Sequence, residues 1–297
     1  MSVHDLLMNR RSIRVFEDRP VDEDVLGKLL DAAANAPSGG NIQPLSVIVV
    51  RDAGRRAKLA EVVGGQPWVA NAPVDLVFCL DFHAVQRWAE TEGVTFRGRE
   101  SLSSFLIAYA DVMCAAQSVV VLAEDLGLGS VYVGTIQVQL KDARRLLELP
   151  GGVLPVMLLA VGYPASRPKN IPKLSAGDIR HDERYRVRSD EEVAEMFRGK
   201  YGVIGDDLDA YFERAYVEVV EADRQQEESW TAEARARMER LNIRNNAQFL
   251  FELRYPQDVM VGFNRELVRD LEEAGFRFLR EQEEGGDVGR GGTEGGD

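Results

Sequence analysis

Apolar positions in the first part of the chain follow two different periods, which together predict a mixture of strands and helices. Continuous apolar runs rich in β-branched residues, typical of buried strands, occupy residues 45–51, 74–80, 131–133 and 153–161. Apolar residues at helical spacing predict helices over residues 2–9, from Asp22 to the loop at Ala36, and over residues 54–63 and 138–149. Because helices and strands do not alternate strictly, we expect an α+β fold rather than a doubly wound sheet.

The longest helical pattern covers residues 101–126, and apolar side chains occupy most of its circumference. A helix that is apolar most of the way round is buried, often at the centre of a fold or of a dimer. Gly127 and Gly129 end this pattern and lead into the predicted strand at residues 131–133.

Beyond about residue 185 the pattern changes, because residues 190–281 contain several amphipathic helical segments and no convincing strand. We therefore predict a first domain over residues 1–189 and a helical C-terminal extension over residues 190–284. The extension must bury its apolar faces, so we expect it to wrap a dimer or cap a cleft, with a flexible acidic appendage as the alternative. Residues 285–297 are rich in glycine and polar, which predicts a disordered tail.

Composition excludes several classes of protein. The 297 residues carry a formal net charge of −13, and nucleic-acid binding requires a basic face that this balance argues against. No apolar run is expected to approach the ~18 residues of a membrane helix, so no membrane association is expected. The first residues, Met1–Asp5, lack the charged-then-apolar pattern of a signal peptide, so we expect a cytoplasmic protein.

Cysteine and histidine give no indication of a metal site. Cys79 and Cys114 both lie in apolar runs and are expected to be buried free thiols. The three histidines are scattered along the chain, without the cysteines or carboxylates that would complete a set of metal ligands.

A polar loop at residues 36–44 is the first candidate for binding chemistry. Gly39 and Gly40 lack a Cβ, which lets the backbone come close to a ligand, and Ser38 and Asn41 add hydrogen-bonding groups. Proline residues 37 and 44 restrict the backbone at both ends. Taken alone, the segment is better interpreted as an ordinary polar connection between a helix and a strand.

Two other segments change this interpretation. An arginine-rich segment, Arg-Arg-Ser-Ile-Arg-Val-Phe, occupies residues 10–16, and Gly-Leu-Gly-Ser-Val-Tyr-Val-Gly occupies residues 127–134. In this order, with the loop at residues 36–44 between them, the segments resemble the nitroreductase family of homodimeric flavoenzymes, which hold FMN between two subunits. The resemblance covers roughly residues 1–190 and implies a central, mainly antiparallel sheet flanked by helices.

The resemblance assigns expected roles to the arginine-rich segment. Arg10 and Ser12 are expected to bind the FMN phosphate, and Arg11 the ribityl chain or the pyrimidine edge. Arg14 is expected at the N1–O2 edge of the flavin, where its positive charge would raise the reduction potential. Without the resemblance, this segment reads as a solvated basic turn after a helix.

The other two segments receive matching roles. Pro37, Ser38, Gly39 and Asn41 are expected to reach the flavin of the partner subunit, although Leu45 stands where the family usually has a tryptophan. The strand end formed by Val133, Gly134 and Thr135 is expected to line the flavin, and the backbone N–H of Gly134, or that of Thr135, to donate to flavin N5.

Two further residues complete the expected flavin site. Gln66 is expected near the pyrimidine edge, and Lys173 is expected to bind the phosphate, with a second basic residue near 169–173 left unidentified. The resemblance implies no obligatory catalytic side chain, because the flavin carries the chemistry.

The resemblance thus implies an FMN-dependent oxidoreductase that uses NADH or NADPH. Hydride would pass through flavin N5 to an electron-poor small molecule, such as a nitroaromatic, a quinone or an activated alkene, by ping-pong chemistry. Relatives on the same fold that fragment flavin, dehalogenate or oxidise azolines are the alternatives, as is a non-catalytic FMN-binding protein whose extension binds a partner.

Overall fold

A four-stranded antiparallel sheet forms the centre of the computed structural model, which describes residues 2–169, 172–203 and 236–278. Its strands are β1 (Leu45–Val50), β2 (Val74–Asp81), β3 (Gly129–Val133) and β4 (Val153–Gly162), in the spatial order β1-β2-β4-β3. All four predicted strands are therefore confirmed. The α+β class is confirmed as well.

Burial along the strands follows their place in the sheet. Every residue of the central strands β2 and β4 is buried, because helices cover both faces, and this explains their unbroken apolar sequences. The expectation that residues 45–51 form a fully buried strand is wrong, since only Val50 of β1 is buried. β1 lies at one edge of the sheet, where neighbouring strands cover it on one side only.

Helices surround the sheet. In chain order they are α1 (Val3–Asn9), α2 (Glu23–Ala34), α3 (Ala53–Val62), α4 (Pro67–Asn71), α5 (Phe82–Thr91), α6 (Leu102–Asp125), α7 (Leu140–Leu146), α8 (Ala176–Ile179), α9 (Asp190–Tyr201), α10 (Asn246–Gln248), α11 (Gln257–Gly262) and α12 (Asn264–Glu273). A π-helix, Phe249–Arg254, continues α10, and 3-10 turns cover Gly39–Asn41, Gly98–Glu100 and Gly134–Val138. The helix predicted over residues 138–149 is shorter than expected because the last of these turns precedes it.

Alternate side chains of β2 enter two separate cores, as the period of a strand requires. Leu76 and Phe78 pack on the face covered by α2 and α6. Val77 and Cys79 pack on the opposite face, with residues of α3, α4 and α7. The sheet therefore has a separate apolar core on each of its two faces.

The long helix α6 confirms the predicted helix at residues 101–126 and packs against α2 and the sheet. Seven of its residues are buried: Ala108, Val112, Ala115, Ala116, Val119, Val120 and Ala123. Leu106 and Ile107 are exposed in the single chain. The expectation that no apolar run approaches membrane-spanning length is wrong, because α6 passes that test by length and composition, as core helices of soluble proteins also do.

One of the two cysteines is exposed, although both were expected to be buried. Cys79 is a buried free thiol as expected, and burial raises its pKa to about 12. Cys114 is a free thiol but is exposed, because it lies on a side of α6 that the sheet does not cover.

The end of the described chain returns to the main core. The backbone N–H of Gly152 donates to the carbonyl of Ala274 over 2.8 Å, and Phe276 is fully buried. The Phe276 ring lies 6.0 Å from that of Phe82 and 5.7 Å from that of Phe105. Residues 204–235 and 279–297, which include part of the predicted extension and the predicted tail, lie outside the described residues. The three predicted domains stay a prediction.

Candidate functional site

The arginine-rich segment docks along β3. Ser12 forms a parallel bridge with Ser130, and the backbone N–H of Ile13 donates to the carbonyl of Ser130 over 3.0 Å. Ile13 is completely buried, and a Cβ at position 129 would overlap its side chain, so glycine is required there for the two segments to approach. The segment is therefore fixed beside the strand that leads to residues 133–135.

The same segment continues to the turn after β4. Phe16 bridges Pro164, and the backbone N–H of Ala165 donates to the carbonyl of Val15 over 3.0 Å. Together with the Ser12 bridge, these contacts fix both ends of the arginine-rich segment on the β3 side of the sheet.

Two arginines of this segment, Arg10 and Arg14, lie close to aromatic residues, whereas Arg11 contacts the backbone. The Arg14 guanidinium lies 5.3 Å from the centroid of the Trp68 ring, at the start of α4. Burial raises the pKa of Tyr132 to about 12, while the positive charge of nearby Arg10 acts in the opposite direction. Arg11 folds back, because its guanidinium donates to the carbonyls of Met8 and Arg10 over 3.3 and 3.0 Å.

Beyond the end of β3 the backbone at Gly134 is not covered by other parts of the described chain. The space where a Cβ of Gly134 would lie has no heavy atom within 4 Å. Beside it, the Gln66 amide donates to the Thr135 hydroxyl over 3.0 Å and to the carbonyl of Val63 over 2.9 Å. Gln66 and Thr135, which lie 69 positions apart in the sequence, are thus brought into contact as parts of one surface.

This surface fits FMN in its chemistry. Cationic groups at positions 10 and 14 suit a phosphate and an electron-rich flavin edge, and the uncovered backbone at Gly134 leaves room for a flat ring. The structure therefore brings together the predicted site residues of the arginine-rich segment, Gln66 and the end of β3.

The loop at residues 37–44 docks on a different part of the molecule. The Ser38 hydroxyl donates to the Asp111 carboxylate of α6 over 2.8 Å, and the Gly39 N–H donates to the same carboxylate over 3.0 and 3.1 Å. The loop leads directly into β1, whereas the arginine-rich segment lies on β3. β1 and β3 are the two edge strands, about 14 Å apart at the usual spacing of neighbouring strands.

Lys173 lies apart from both groups of residues. It is exposed and lines a surface groove with Arg186 and Arg188 beside α9, and the lining of this groove includes none of the arginines at positions 10–14. Residues 170 and 171, within the range expected to supply a second phosphate-binding base, lie outside the described residues.

Sequence reasoning missed Asp111 as a partner of the loop. Its one signal was a carboxylate in the middle of a helix that is otherwise largely apolar. The contact between Trp68 and Arg14 places this tryptophan beside the candidate site as well.

Comparison with known proteins identifies similar chains. A family model described as "Nitroreductase family" matches residues 7–163. The FMN reductase [NAD(P)H] of Bacillus subtilis is 37% identical over 180 residues, which cover 60% of this chain and 72% of that protein.

Two solved structures share the fold. A putative oxidoreductase from Bacteroides fragilis superposes with a TM-score of 0.75 at 29% identity and covers 92% of this chain and 99% of its own. The NfrA1 nitroreductase of B. subtilis superposes with a TM-score of 0.72 at 25% identity and covers 93% of this chain and 99% of its own.

Proposed function

Because this chain belongs to the nitroreductase family and is an FMN-dependent NAD(P)H oxidoreductase, we propose that it transfers hydride to an electron-poor small molecule at a site shared by two subunits. The nicotinamide donor and the acceptor use the same cleft in turn, so the kinetics are ping-pong. Nitroaromatics, quinones and activated alkenes are the proposed acceptors.

The observation that carries the shared site is the separation of its two halves within one chain. The arginine-rich segment lies on β3 at one edge of the sheet, and the loop at residues 37–44 leads into β1 at the other edge. A homodimer brings the loop of one subunit to the arginine-rich segment of the other. Exposed apolar side chains of Ile42, Leu106 and Ile107 supply surface for such a contact.

At the phosphate end, the chain's own cations bind and orient the cofactor. Arg10 and Ser12 donate to the phosphate, and Lys173 reaches it only if the segment at residues 172–175 closes toward the arginines. Arg11 would contact the ribityl chain or the pyrimidine edge once its guanidinium leaves the carbonyl of Arg10. Arg14, held against Trp68, places its positive charge at the N1–O2 edge.

At the reactive end, backbone geometry replaces side-chain acid–base chemistry. Bound FMN supplies hydride exchange at N5. The backbone N–H of Gly134 or Thr135 would donate to that atom, and such a donor is fixed in place and does not ionise. Gln66 holds the Thr135 hydroxyl and itself faces the pyrimidine edge, while Val133 anchors the strand end in the core.

Free FMN is a second candidate acceptor, because the relative from B. subtilis is named an FMN reductase.

Initial rates measured over a matrix of NADH or NADPH and acceptor concentrations test both proposals. A quinone, a nitroaromatic and free FMN serve as the acceptors, each with both nicotinamides. Parallel double-reciprocal lines are expected with the preferred acceptor, and intersecting lines would contradict a cleft used in turn. An FMN-loaded protein without NAD(P)H turnover would instead favour a binding protein.

A further inference from the structure

We propose that Asp111 is a positioning residue, which holds the loop at residues 37–44 in the shape needed to contact the flavin of the partner subunit. This inference rests on the proposed site between two subunits. Asp111 lies on α6, more than 65 positions after the loop in the sequence, and neither the sequence pattern nor the expected flavin contacts include it.

The loop has a backbone shape that needs external support. Gly40, Asn41 and Gln43 have φ values of 60°, 55° and 53°. This left-handed region is unfavourable for residues with a side chain, although asparagine tolerates it better than most. Two such non-glycine residues within three positions persist only where surrounding contacts hold them.

Asp111 is the anchor of those contacts. Its carboxylate accepts hydrogen bonds from the Ser38 hydroxyl over 2.8 Å and from the Gly39 N–H over 3.0 Å. The Ser38 oxygen in turn accepts from the Gln43 N–H over 2.9 Å, which closes the loop on itself. Because hydrogen bonds to a charged acceptor are stronger than neutral ones, the carboxylate holds both ends of the strained segment through one serine.

Ile107, which lies one helical turn before Asp111 on α6, also supports the loop. A Cβ at Gly39 would lie 2.5 Å from the Ile107 Cγ2 atom, so the loop backbone rests directly on this side chain. Ile107 and Asp111 are four residues apart and therefore lie on one face of the helix. The loop is thus located by one apolar contact and one charged contact on the same helix.

Asp111→Asn tests the proposal, with Asp125→Asn as the matched control. Asparagine keeps the size of aspartate but offers one oxygen acceptor in place of a carboxylate, so it cannot hold Ser38 and Gly39 with the same strength. Asp125 is an exposed carboxylate on the same helix, and its substitution removes the same charge.

The first measurement uses the protein without added cofactor. Hydrogen–deuterium exchange followed by mass spectrometry reports the peptide that contains residues 38–43. In Asp111→Asn we expect faster exchange in this peptide and unchanged exchange in the peptides of β2 and β4. Unchanged exchange at residues 38–43 would overturn the proposal.

The second measurement is FMN affinity, followed by flavin fluorescence, together with the thermal unfolding of the cofactor-free protein. We expect Asp111→Asn to bind FMN about tenfold more weakly and Asp125→Asn to bind it as the wild type does. Ser38→Ala, which is the milder change, should weaken binding in the same direction, and the double variant should add little to Asp111→Asn. Reduced thermal stability with wild-type FMN affinity would show a purely structural role and overturn the proposal.

These outcomes separate the proposal from the proposed function. If the wild-type protein forms no shared site, the loop variants leave FMN affinity unchanged, and a mixed dimer of one Arg14→Gln subunit and one Asn41→Gly subunit is no more active than either variant alone. If the site is shared but Asp111 is not its positioning residue, the mixed dimer is active and Asp111→Asn binds FMN as tightly as Asp125→Asn and the wild type do.

Discussion

At the scale of single residues, Asp75 is the least expected group in the structure. It lies on β2, on the same face as Val77, and is completely buried. Among the described residues, neither of its carboxyl oxygens has a hydrogen-bond partner. Burial raises its pKa to about 8, and the positive charge of Arg56 only partly opposes this effect. Asp75 is therefore largely protonated in the folded protein at neutral pH.

The first prediction concerns Asp75→Asn. The pKa of Asp75 is raised in the folded state above its ordinary value of 3.8, so the unfolded chain loses this proton first as the pH rises. The contribution of Asp75 to stability is therefore present at low pH and falls as the pH rises from about 4 to about 8. Asp75→Asn removes this loss, and we expect it to increase the free energy of unfolding at pH 8 by about 1–3 kcal/mol relative to the wild type.

Urea unfolding at pH 5 and pH 8 measures this difference. The gain should be smaller at pH 5, where the wild-type carboxyl carries its proton in the folded state. Asp18→Asn, at an exposed position, is the control for the removal of a charge. A loss of stability in Asp75→Asn at pH 8 would show that the carboxylate is ionised and paired with Arg56.

At the scale of elements, the sequence predicted those strands and helices whose apolar residues recur with a regular local period. The four strands and α6 were recognised because their apolar residues form continuous or long patterns. The helix α4 was missed because it has only 5 residues, and α5 because it mixes polar with apolar residues. The contact between Gln66 and Thr135 and the anchor at Asp111 join residues far apart in the sequence, so no local pattern reveals them. The expected burial of Cys114 failed for a related reason, since periodicity does not tell which side of α6 the sheet covers.

The second prediction tests how the arginine-rich segment is docked. Gly129→Ala places a methyl group where it would overlap Ile13, so the segment must move away from β3. We expect the free energy of unfolding to fall by about 1–3 kcal/mol, as in other overpacked cores. FMN affinity should fall as well, because Arg10 and Arg14 move with Ile13.

Thermal unfolding and fluorescence titration with FMN measure the two effects of Gly129→Ala. Gly199→Ala, on helix α9 with no heavy atom within 4 Å of the added Cβ, is the matched control. If Gly129→Ala lowered stability but bound FMN normally, the position of the arginine-rich segment would not depend on this close contact.

At the scale of the whole molecule, the last described segment of the chain packs into the core of the main sheet. Phe276 lies against Phe82 and Phe105, and Gly152 donates to the carbonyl of Ala274, so the last described segment covers the same sheet face as α6. Sequence periodicity predicted amphipathic helical segments within residues 190–281 but not the surface that the last of them covers. That surface depends on contacts across more than 100 positions of sequence.

The third prediction follows from this shared core. Phe276→Ala removes a fully buried ring, and we expect it to lower the free energy of unfolding by about 3–5 kcal/mol. Phe251→Ala, in the exposed part of the π-helix, is the matched control and should change stability by less than about 1 kcal/mol. Denaturant unfolding of the FMN-free proteins measures both. Equal effects of the two substitutions would mean that the C-terminal segment contributes little to the main core.

The last prediction addresses the assembly directly, through complementation between two inactive variants. Arg14→Gln removes the charge beside Trp68, and Asn41→Gly removes a side chain of the loop while allowing its positive φ. If each site takes Arg14 from one subunit and Asn41 from the other, a mixed dimer contains one site with both changes and one site with neither. We therefore expect mixed dimers, purified with two different affinity tags, to show about half of the wild-type activity per dimer. Each variant alone should have little activity. If both residues acted within one chain, every site in the mixed dimer would carry one change, and the mixture would be no more active than its parents.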